Sequence, residues 1–413
     1  MLKYQDMKYW ITTFGCQQNI ADSKQIACLL EKQGLRPAAD EKMADLVVVN
    51  ACSVRKSAVD RAYAKIKQSK KAGKKVILAG CFLGGDAKNL ESFVDEIWHP
   101  HEYFCASRKV PIEHRAFISV MTGCDNFCAY CIVPFTRGRE KSRTPEKIIA
   151  DIEQAVENGA KEIVLLGQNV NSYHSQTIDF PGLLRKIDAL SGDFWLTFIS
   201  NHPKDMTDKL IETAARCQKV SPVIHLPFQS GNNRVLKSMN RHYTVAHYKK
   251  LLKKLRLAFA QNRQDDLPLS VTADVIIGFP GETDKEFNDS AELMREMEFD
   301  TVFLNIYSPR PGTAAAKLKD DVSFPEKRRR EKVLNEILRK TALKKNKAYV
   351  GREAAVLVDE IKAGYFYGKT KTQKNVRAKI SAGAKIKIGK IYPVKIIKAA
   401  PWSLEGKTIL NVK

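Results

Sequence analysis

Three cysteines in one short stretch, Cys124, Cys128 and Cys131, constrain this chain more than any other feature. They form a Cys-x3-Cys-x2-Cys loop directly after an apolar strand-like run, Phe117–Met121. A loop so short gathers three thiolates around one compact metal centre, yet no further Cys or His follows closely enough to complete a closed four-ligand cage. A cubane iron–sulfur cluster held by three thiolates keeps one iron without a protein ligand, and that iron takes the N and O donors of a small molecule. A zinc site with a remote fourth ligand, or three unrelated core thiols, are the plainer readings of the same spacing.

The rest of the composition narrows the setting. Nine cysteines in 413 residues is an odd number, which favours metal or catalytic use over disulfides. No apolar run reaches the roughly eighteen residues of a membrane span, and Met1–Asp6 lacks an apolar signal-peptide core. The expectation is a cytoplasmic protein with no membrane partner. A net charge of +23 asks for a polyanion, nucleic acid first. Basic residues far outnumber acidic ones from Phe324 to Lys413, so the polyanion should touch that end.

Taken in order, residues 8 to about 98 alternate strand-like runs (Lys8–Phe14, Asp45–Asn50, Lys75–Ala79) with helical patterns (Asp22–Gln33, Lys56–Lys70). This predicts an α/β, doubly wound, flavodoxin-like parallel sheet. Cys16, Cys52 and Cys81 each fall just past the carboxyl end of one of those strands, where such sheets face a single crevice. They are candidates for a second three-thiolate site, although small buried thiols after strands are also ordinary. Cys28 lies in an apolar helical run and reads as core, and Cys105 and Cys217 have no ligand-like surroundings. Pro100–His114 reads as a linker.

Beyond it six further strand candidates recur: Phe117–Met121, Glu162–Gly167, Trp195–Ser200, Val223–Leu226, Val271–Gly278 and Thr301–Tyr307. Helices lie between them, such as Pro145–Asn158 with Thr144 as cap and Gly159 at the exit. Six β/α units predict a partial parallel barrel whose active site lies at the carboxyl ends of the strands, where the three-cysteine loop sits. The glycine-bearing loops after later strands offer Gly167, Gln168, Asn169, Gln229, Gly278 and Glu282 as cofactor-binding candidates, or as simple turns. Arg137, Arg139 and Arg143 follow the cysteine loop and could meet RNA phosphates or form salt bridges. A basic helix over Pro325–Tyr349 leads to short strands at Ala354–Val358, Gly364–Lys369, Val376–Ile380 and Ile391–Lys398. These predict a small OB-like β-barrel with Tyr365, Phe366, Tyr367 and Trp402 for stacking or for its core. The expected domains are 1–113, 114–345 and 346–413.

The aromatic before the last cysteine, Tyr130, completes a Cys-x3-Cys-x-aromatic-Cys pattern that resembles the signature of radical S-adenosylmethionine (radical SAM) enzymes. Across the chain, Thr13–Asn19, Asn50–Arg55, Gly123–Arg143, Leu165–Tyr173, His225–Gly231, Gly278–Thr283 and Ser308–Thr313 resemble the methylthiotransferases of that superfamily. The resemblance implies an auxiliary-cluster domain, a radical SAM domain and a carboxyl-terminal TRAM domain that binds RNA. It implies two 4Fe-4S clusters, on Cys16, Cys52 and Cys81 and on the catalytic Cys124, Cys128 and Cys131. S-adenosylmethionine would supply methyl groups and the radical, with Tyr130 beside it.

Cys-Ser-Val-Arg at 52–55 and Leu-Leu-Gly-Gln-Asn-Val-Asn at 165–171 most resemble the branch that methylthiolates carbon 2 of N(6)-isopentenyladenosine beside the tRNA anticodon. Its partners would be the anticodon stem-loop, an external electron donor and a sulfur source. Alternatives are the sister activity on threonylcarbamoyladenosine, modification of a ribosomal-protein aspartate, and a non-catalytic metal-containing RNA-binding protein. Phe82-Leu83-Gly84 and Asn201-His202-Pro203 depart from the family's usual residues.

Overall fold

The computed structural model describes residues 6–52, 56–82, 90–100, 102–103, 114–176, 178–263, 267–381 and 383–409. Cys105, Ser53–Arg55, Leu83, Gly84 and most of the expected linker lie outside the described residues.

Five parallel strands open the chain: β1 (Lys8–Phe14), β2 (Arg36–Pro37), β3 (Leu46–Cys52), β4 (Lys75–Cys81) and β5 (Glu96–Trp98), in the order β2-β1-β3-β4-β5. Every residue of β3 is buried, as a central parallel strand covered on both faces requires. Its side chains alternate: Leu46 and Val48 pack with Ile26 and Leu30 of helix α1 (Gln17–Lys32). Val47, Val49 and Ala51 pack with Ala62 and Ile66 of helix α2 (Lys56–Lys71) on the other face. The doubly wound arrangement follows from that period of two. The short edge strands β2 and β5 carry too few β-branched residues to be legible beforehand. Helix α1 begins earlier than its apolar pattern suggests, because Cys16 takes the N-cap position and Asn19 completes a capping box with it.

The middle of the chain holds β6 (Arg115–Ser119), β7 (Met121–Thr122), β8 (Lys141–Ser142), β9 (Glu162–Leu166), β10 (Trp195–Phe198), β11 (Val223–His225), β12 (Ser270–Ile277) and β13 (Thr301–Ile306). Strands β6, β9 and β10 form one parallel sheet and β11, β12 and β13 another. The Leu196↔Val220 bridge and the Ser221 N–H to Leu196 carbonyl bond join them. The result is a six-stranded partial barrel in sequence order, with one core running between its strands and the outer helices. The helix after β8 spans Pro145–Glu157, and Gly159 leaves it at φ +92°. Thr144 occupies the cap position without a side-chain cap bond.

Helix Phe324–Lys347 buries Leu334 and Leu338 on that core and leads to a closed barrel of β14 (Glu353–Lys362), β15 (Tyr365–Thr370), β16 (Asn375–Lys379), β17 (Ile391–Ala399) and β18 (Leu404–Thr408). Phe366 is core, Tyr365 carries Arg377 over its ring at 4.8 Å, and Trp402 is exposed. This small barrel docks where the central strands begin. Asp300, just before β13, receives Lys345 at 3.1 Å and Lys374 at 2.7 Å, and Gln373 reaches Glu162 at the start of β9.

Candidate functional site

Cys16, Cys52 and Cys81 converge at the carboxyl ends of β1, β3 and β4. Cys52 and Cys81 are direct partners in the strand register, and the Cys52 thiol hydrogen-bonds with both Cys16 and Cys81. Two glycines permit this closeness. A Cβ on Gly80, at φ +110°, would lie 2.2 Å from the Ala51 carbonyl oxygen, and one on Gly15 would lie 2.2 Å from Asn19 Oδ1. A buried amide pair fixes the frame: Asn19 Nδ2 donates to Asn50 Oδ1 at 3.0 Å, and Asn50 Nδ2 donates to the Asn19 carbonyl at 2.8 Å. Hydrogen bonding with Cys52 lowers the Cys16 thiol to about 6 and lowers Cys81, while Cys52 is pushed up. Cys52 is thus the shared donor that keeps its proton, and only Cys16 and Cys81 lean toward the thiolate form that a metal ligand requires.

The second trio sits in a loop clasped at its base by the antiparallel pair β7 and β8. Gly123 turns the chain at φ +81°, where a Cβ would meet the Arg139 carbonyl oxygen at 2.1 Å. Further along, the Ala129 N–H donates to the Met239 carbonyl at 2.9 Å, and Asn240 Nδ2 holds the Phe127 carbonyl at 2.9 Å. Burial pushes Cys124 up, and burial with Cys128 beside it raises Cys131 to about 12. Such thiols become thiolates only against a compensating cation. Part of that cation is present: Arg241, buried, lies with Nη1 3.4 Å from Cys128 Sγ and Nη2 on the Pro227 carbonyl.

Around this loop the strand ends carry a ring of buried polar atoms with no partner among the described residues. They are Asn169 Oδ1 after β9, Asn201 Oδ1 and His202 Nε2 after β10, Gln229 Oε1 after β11 and Tyr307 OH after β13. Each such atom costs roughly 1–3 kcal/mol unless a polar group meets it. Burial, with Arg241 next, holds the His202 imidazole down to about 2, so it stays neutral. Gln229 keeps a left-handed φ of +62°, a strain that suits a binding loop. Tyr130 packs against the cluster that includes Ile276 and Phe279, and burial keeps its phenol protonated. Gly167 has no room for a side chain, since a Cβ would sit 2.5 Å from Met121 Cγ. These atoms are mixed acceptors and donors, the kind of polar partner that the amino, carboxylate and ribose groups of a sulfonium nucleoside require.

Some expected contacts are redirected. Gln168 Oε1 accepts from the Gly123 N–H at 2.6 Å, so its amide props the cysteine loop. Glu282 Oε2 accepts from the Gly278 N–H at 2.8 Å and from Arg330 at 2.9 Å, which makes it a brace of its own loop. Gly278, at φ +67°, lies against the Lys327 stem. The arginines divide. Arg143 is buried on Asp151 and the Ser119 carbonyl, and Arg137, its side chain 3% exposed, pairs with Asp22 and points Nε at Cys81 Sγ from 2.9 Å. Both are turned inward into buried ion pairs, so of the two expected roles they take the salt bridge and not the phosphate contact. Arg139 alone is open, over the Phe127 ring and beside Asp125.

Arg137 thus ties the two trios together, since it leaves one loop and touches a thiol of the other. Helix α1 completes the link: Gln18 Nε2 donates to Ser119 Oγ at 2.8 Å, and Ala21 packs on Phe117, Val164 and Leu166 inside the partial barrel. Among the described residues no trio of His, Cys, Asp or Glu is set to hold a single metal ion. A cubane distributes three thiolates over three different irons, so it does not ask for that geometry. Sequence reasoning missed Arg241 and Asp22, which come from distant elements without a local signature, and noticed Asn201 and His202 only as a departure from the family's usual residues.

Comparison with known proteins agrees with this construction. The description of the Radical SAM superfamily matches residues 118–294, and that of the Uncharacterized protein family UPF0004 matches residues 8–98. The chain is 38% identical to a tRNA-2-methylthio-N(6)-dimethylallyladenosine synthase of Endomicrobium trichonymphae, covering 98% of this chain and 100% of that one. It is 37% identical to a protein of the same name from Clostridium botulinum strain Hall, covering 97% of each.

Among solved structures, the radical S-adenosylmethionine methyltransferase TsrM of Kitasatospora setae, with cobalamin and a [4Fe-4S] cluster bound, superimposes with a TM-score of 0.56 at 12% identity over 76% of this chain and 77% of that one. The cobalamin-dependent radical enzyme OxsB gives 0.51 at 8% identity over 81% and 57%. These two share the fold. With relatives this similar over nearly its whole length, the chain belongs to the radical SAM family of tRNA-2-methylthio-N(6)-dimethylallyladenosine synthases.

Proposed function

We propose that this protein methylthiolates carbon 2 of N(6)-isopentenyladenosine next to a tRNA anticodon. The observation that carries the reading is the pair of three-thiol sites at neighbouring strand ends, joined through Arg137. When bound, a 4Fe-4S cluster on Cys124, Cys128 and Cys131 with S-adenosylmethionine supplies a radical able to break an unactivated C–H bond, and a second cluster on Cys16, Cys52 and Cys81 supplies the centre that carries sulfur.

The chain's own residues then have defined tasks. Asn169, Asn201, Gln229 and Tyr307 offer the polar atoms that would orient the nucleoside cofactor. Neutral His202, whose Nδ1 accepts from the Lys204 N–H at 3.1 Å, would present Nε2–H as a donor without adding charge. Tyr130, Ile276 and Phe279 form an apolar wall that keeps water from a reactive species. Residues 1–113, 114–345 and 346–413 would respectively hold the auxiliary cluster, the radical site and RNA. The basic β-barrel lies where the central strands begin, and the eight residues of β12 span about 26 Å. The RNA would therefore reach along the side of the protein, with its stem at one end and the target base at the other.

An external electron donor and a sulfur source complete the cycle, in the cytoplasm where tRNA is modified. No helix among the described residues is long and apolar enough to cross a membrane. The names of the relatives support isopentenyladenosine over threonylcarbamoyladenosine. The test is nucleoside mass spectrometry of tRNA from a host lacking its own enzyme, with and without this chain. Gain of 2-methylthio-isopentenyladenosine is expected, and no gain of any methylthio-adenosine would overturn the proposal.

A further inference from the structure

Among the described residues, the lumen face of the partial barrel is covered on one side only. On β6, β9 and the segment after β10, Phe117, Val164, Leu166 and Ile199 pack against Ala21 of helix α1. On β13 the alternation runs differently: Val302 and Leu304 face the helix-covered core, and Phe303 and Asn305 face the open side. Phe303 is 52% exposed. Barrel interiors are ordinarily filled by layers of branched side chains, so a large bare aromatic there is unusual. It gains hydrophobic free energy when something covers it.

The polar groups around this ring are held in a fixed order. Asp274 is the register partner of Phe303, and its carboxylate accepts from Asn305 Nδ2 at 3.0 Å and lies 2.9 Å from His225 Nε2. His225 Nδ1 is 2.9 Å from the Thr272 hydroxyl, and its ring meets Phe303 edge-on with centroids 6.1 Å apart. An ionised carboxylate only accepts, so Nε2 carries the proton that points at Asp274. Asn305 Nδ2 is further occupied by the Phe303 carbonyl at 3.1 Å. A carboxylate offers about four lone-pair sites, so Asp274 keeps acceptor capacity beyond these two neighbours. Two residues along β12, Ile276 belongs to the apolar cluster on which Tyr130 of the cysteine loop packs. The open lumen is therefore an apolar ring beside an anionic acceptor, adjoining the radical site.

We infer that this open half of the lumen seats the target purine: Phe303 stacks on the base or its N(6) prenyl group, and Asp274, positioned by His225 and Asn305, accepts the exocyclic N(6)–H. The assignment rests on the proposed methylthiolation and names how that site reads its base. An N(6)-alkyl adenine is planar and apolar and presents one exocyclic donor. Guanine or hypoxanthine places an acceptor oxygen at that position, which the carboxylate repels.

The test uses anaerobically reconstituted holoenzyme and an anticodon stem-loop RNA carrying isopentenyladenosine. Phe303→Ala should lower kcat/KM by roughly five- to a hundredfold, the range for one lost base stack. Phe303→Tyr should restore most of it. RNA affinity by fluorescence anisotropy should fall by no more than kcat/KM does, because the phosphate contacts outside the lumen are left intact. Asp274→Asn should lose roughly tenfold or more in kcat/KM, as expected for a hydrogen bond to a charged group. Unchanged kcat/KM in Phe303→Ala, or a loss that Phe303→Tyr does not rescue while iron content and unfolding midpoint are normal, overturns the assignment. Wild-type holoenzyme that binds the RNA and yields no methylthio product would instead overturn the reading on which it rests.

Discussion

Replacing Arg137 by Met is the most informative single perturbation of the junction between the two sites. The side chain is 3% exposed and lies between the equally buried Asp22 carboxylate and Cys81 Sγ. Met keeps much of the stem's volume, so what is lost is charge and hydrogen bonding. Removing one partner of a buried pair costs about 3–5 kcal/mol, because the other charge remains desolvated. Asp22 retains a donor in Gln18 Nε2 at 2.9 Å, which offsets about 1 kcal/mol.

The expected net loss is therefore about 2–4 kcal/mol, localised where helix α1 enters the partial barrel. Urea unfolding gives the size of the effect, and hydrogen exchange across Gln17–Lys32 gives its place. Adding Asp22→Asn should recover part of the loss, with a coupling of about 1–3 kcal/mol. A single variant within about 0.5 kcal/mol of wild type, or two single effects that simply add, would refute the account of Arg137 as a buried tie.

Other outcomes follow from the same geometry. Cys124→Ala should abolish reductive cleavage of S-adenosylmethionine, and Cys16→Ala should spare it, each lowering iron from about eight to about four per chain; equal loss of cleavage in both would mean that the trios do not have separate roles. Hydrogen bonds from Arg234 hold the Glu286 carboxyl down to about 2, against an ordinary value of 4.5. A depressed folded-state value stabilises above the unfolded one and is lost as pH falls, so this contribution should fade between pH 4.5 and about 2. Glu286→Gln should flatten that part of the acid-unfolding curve, and an unaltered curve would contradict the pairing.

Much of the architecture was legible because it rests on short-range pattern. The Val and Ile runs ending in Asn-Ala-Cys and Ala-Gly-Cys marked both the central strands and the cysteines at their ends, and the structure brings those thiols into contact. The six central strands were likewise visible as apolar runs. Strand β18 was not, since Leu-Glu-Gly-Lys-Thr carries almost no β-rich signal and pairs only through the closed barrel.

The site was legible where it is local and opaque where it is assembled. Arg241 reaches Cys128 across 113 positions, and Asp22 reaches Arg137 across 115. Gln168 and Glu282 were read as cofactor ligands from their glycine-rich surroundings. In the fold those same surroundings leave backbone N–H groups that the two side chains satisfy. Arg137 and Arg143 were read as phosphate contacts or salt-bridge partners, and the structure gives them the second role, buried against carboxylates rather than at the surface.

Mössbauer spectroscopy of the anaerobically reconstituted, 57Fe-labelled protein tests the core idea most directly. Two cubanes, with about eight irons per chain, should appear, and added S-adenosylmethionine should shift the signal of a single iron in a way that Cys124→Ala removes. Iron sufficient for only one cluster, or a spectrum indifferent to S-adenosylmethionine, would contradict the two-site account.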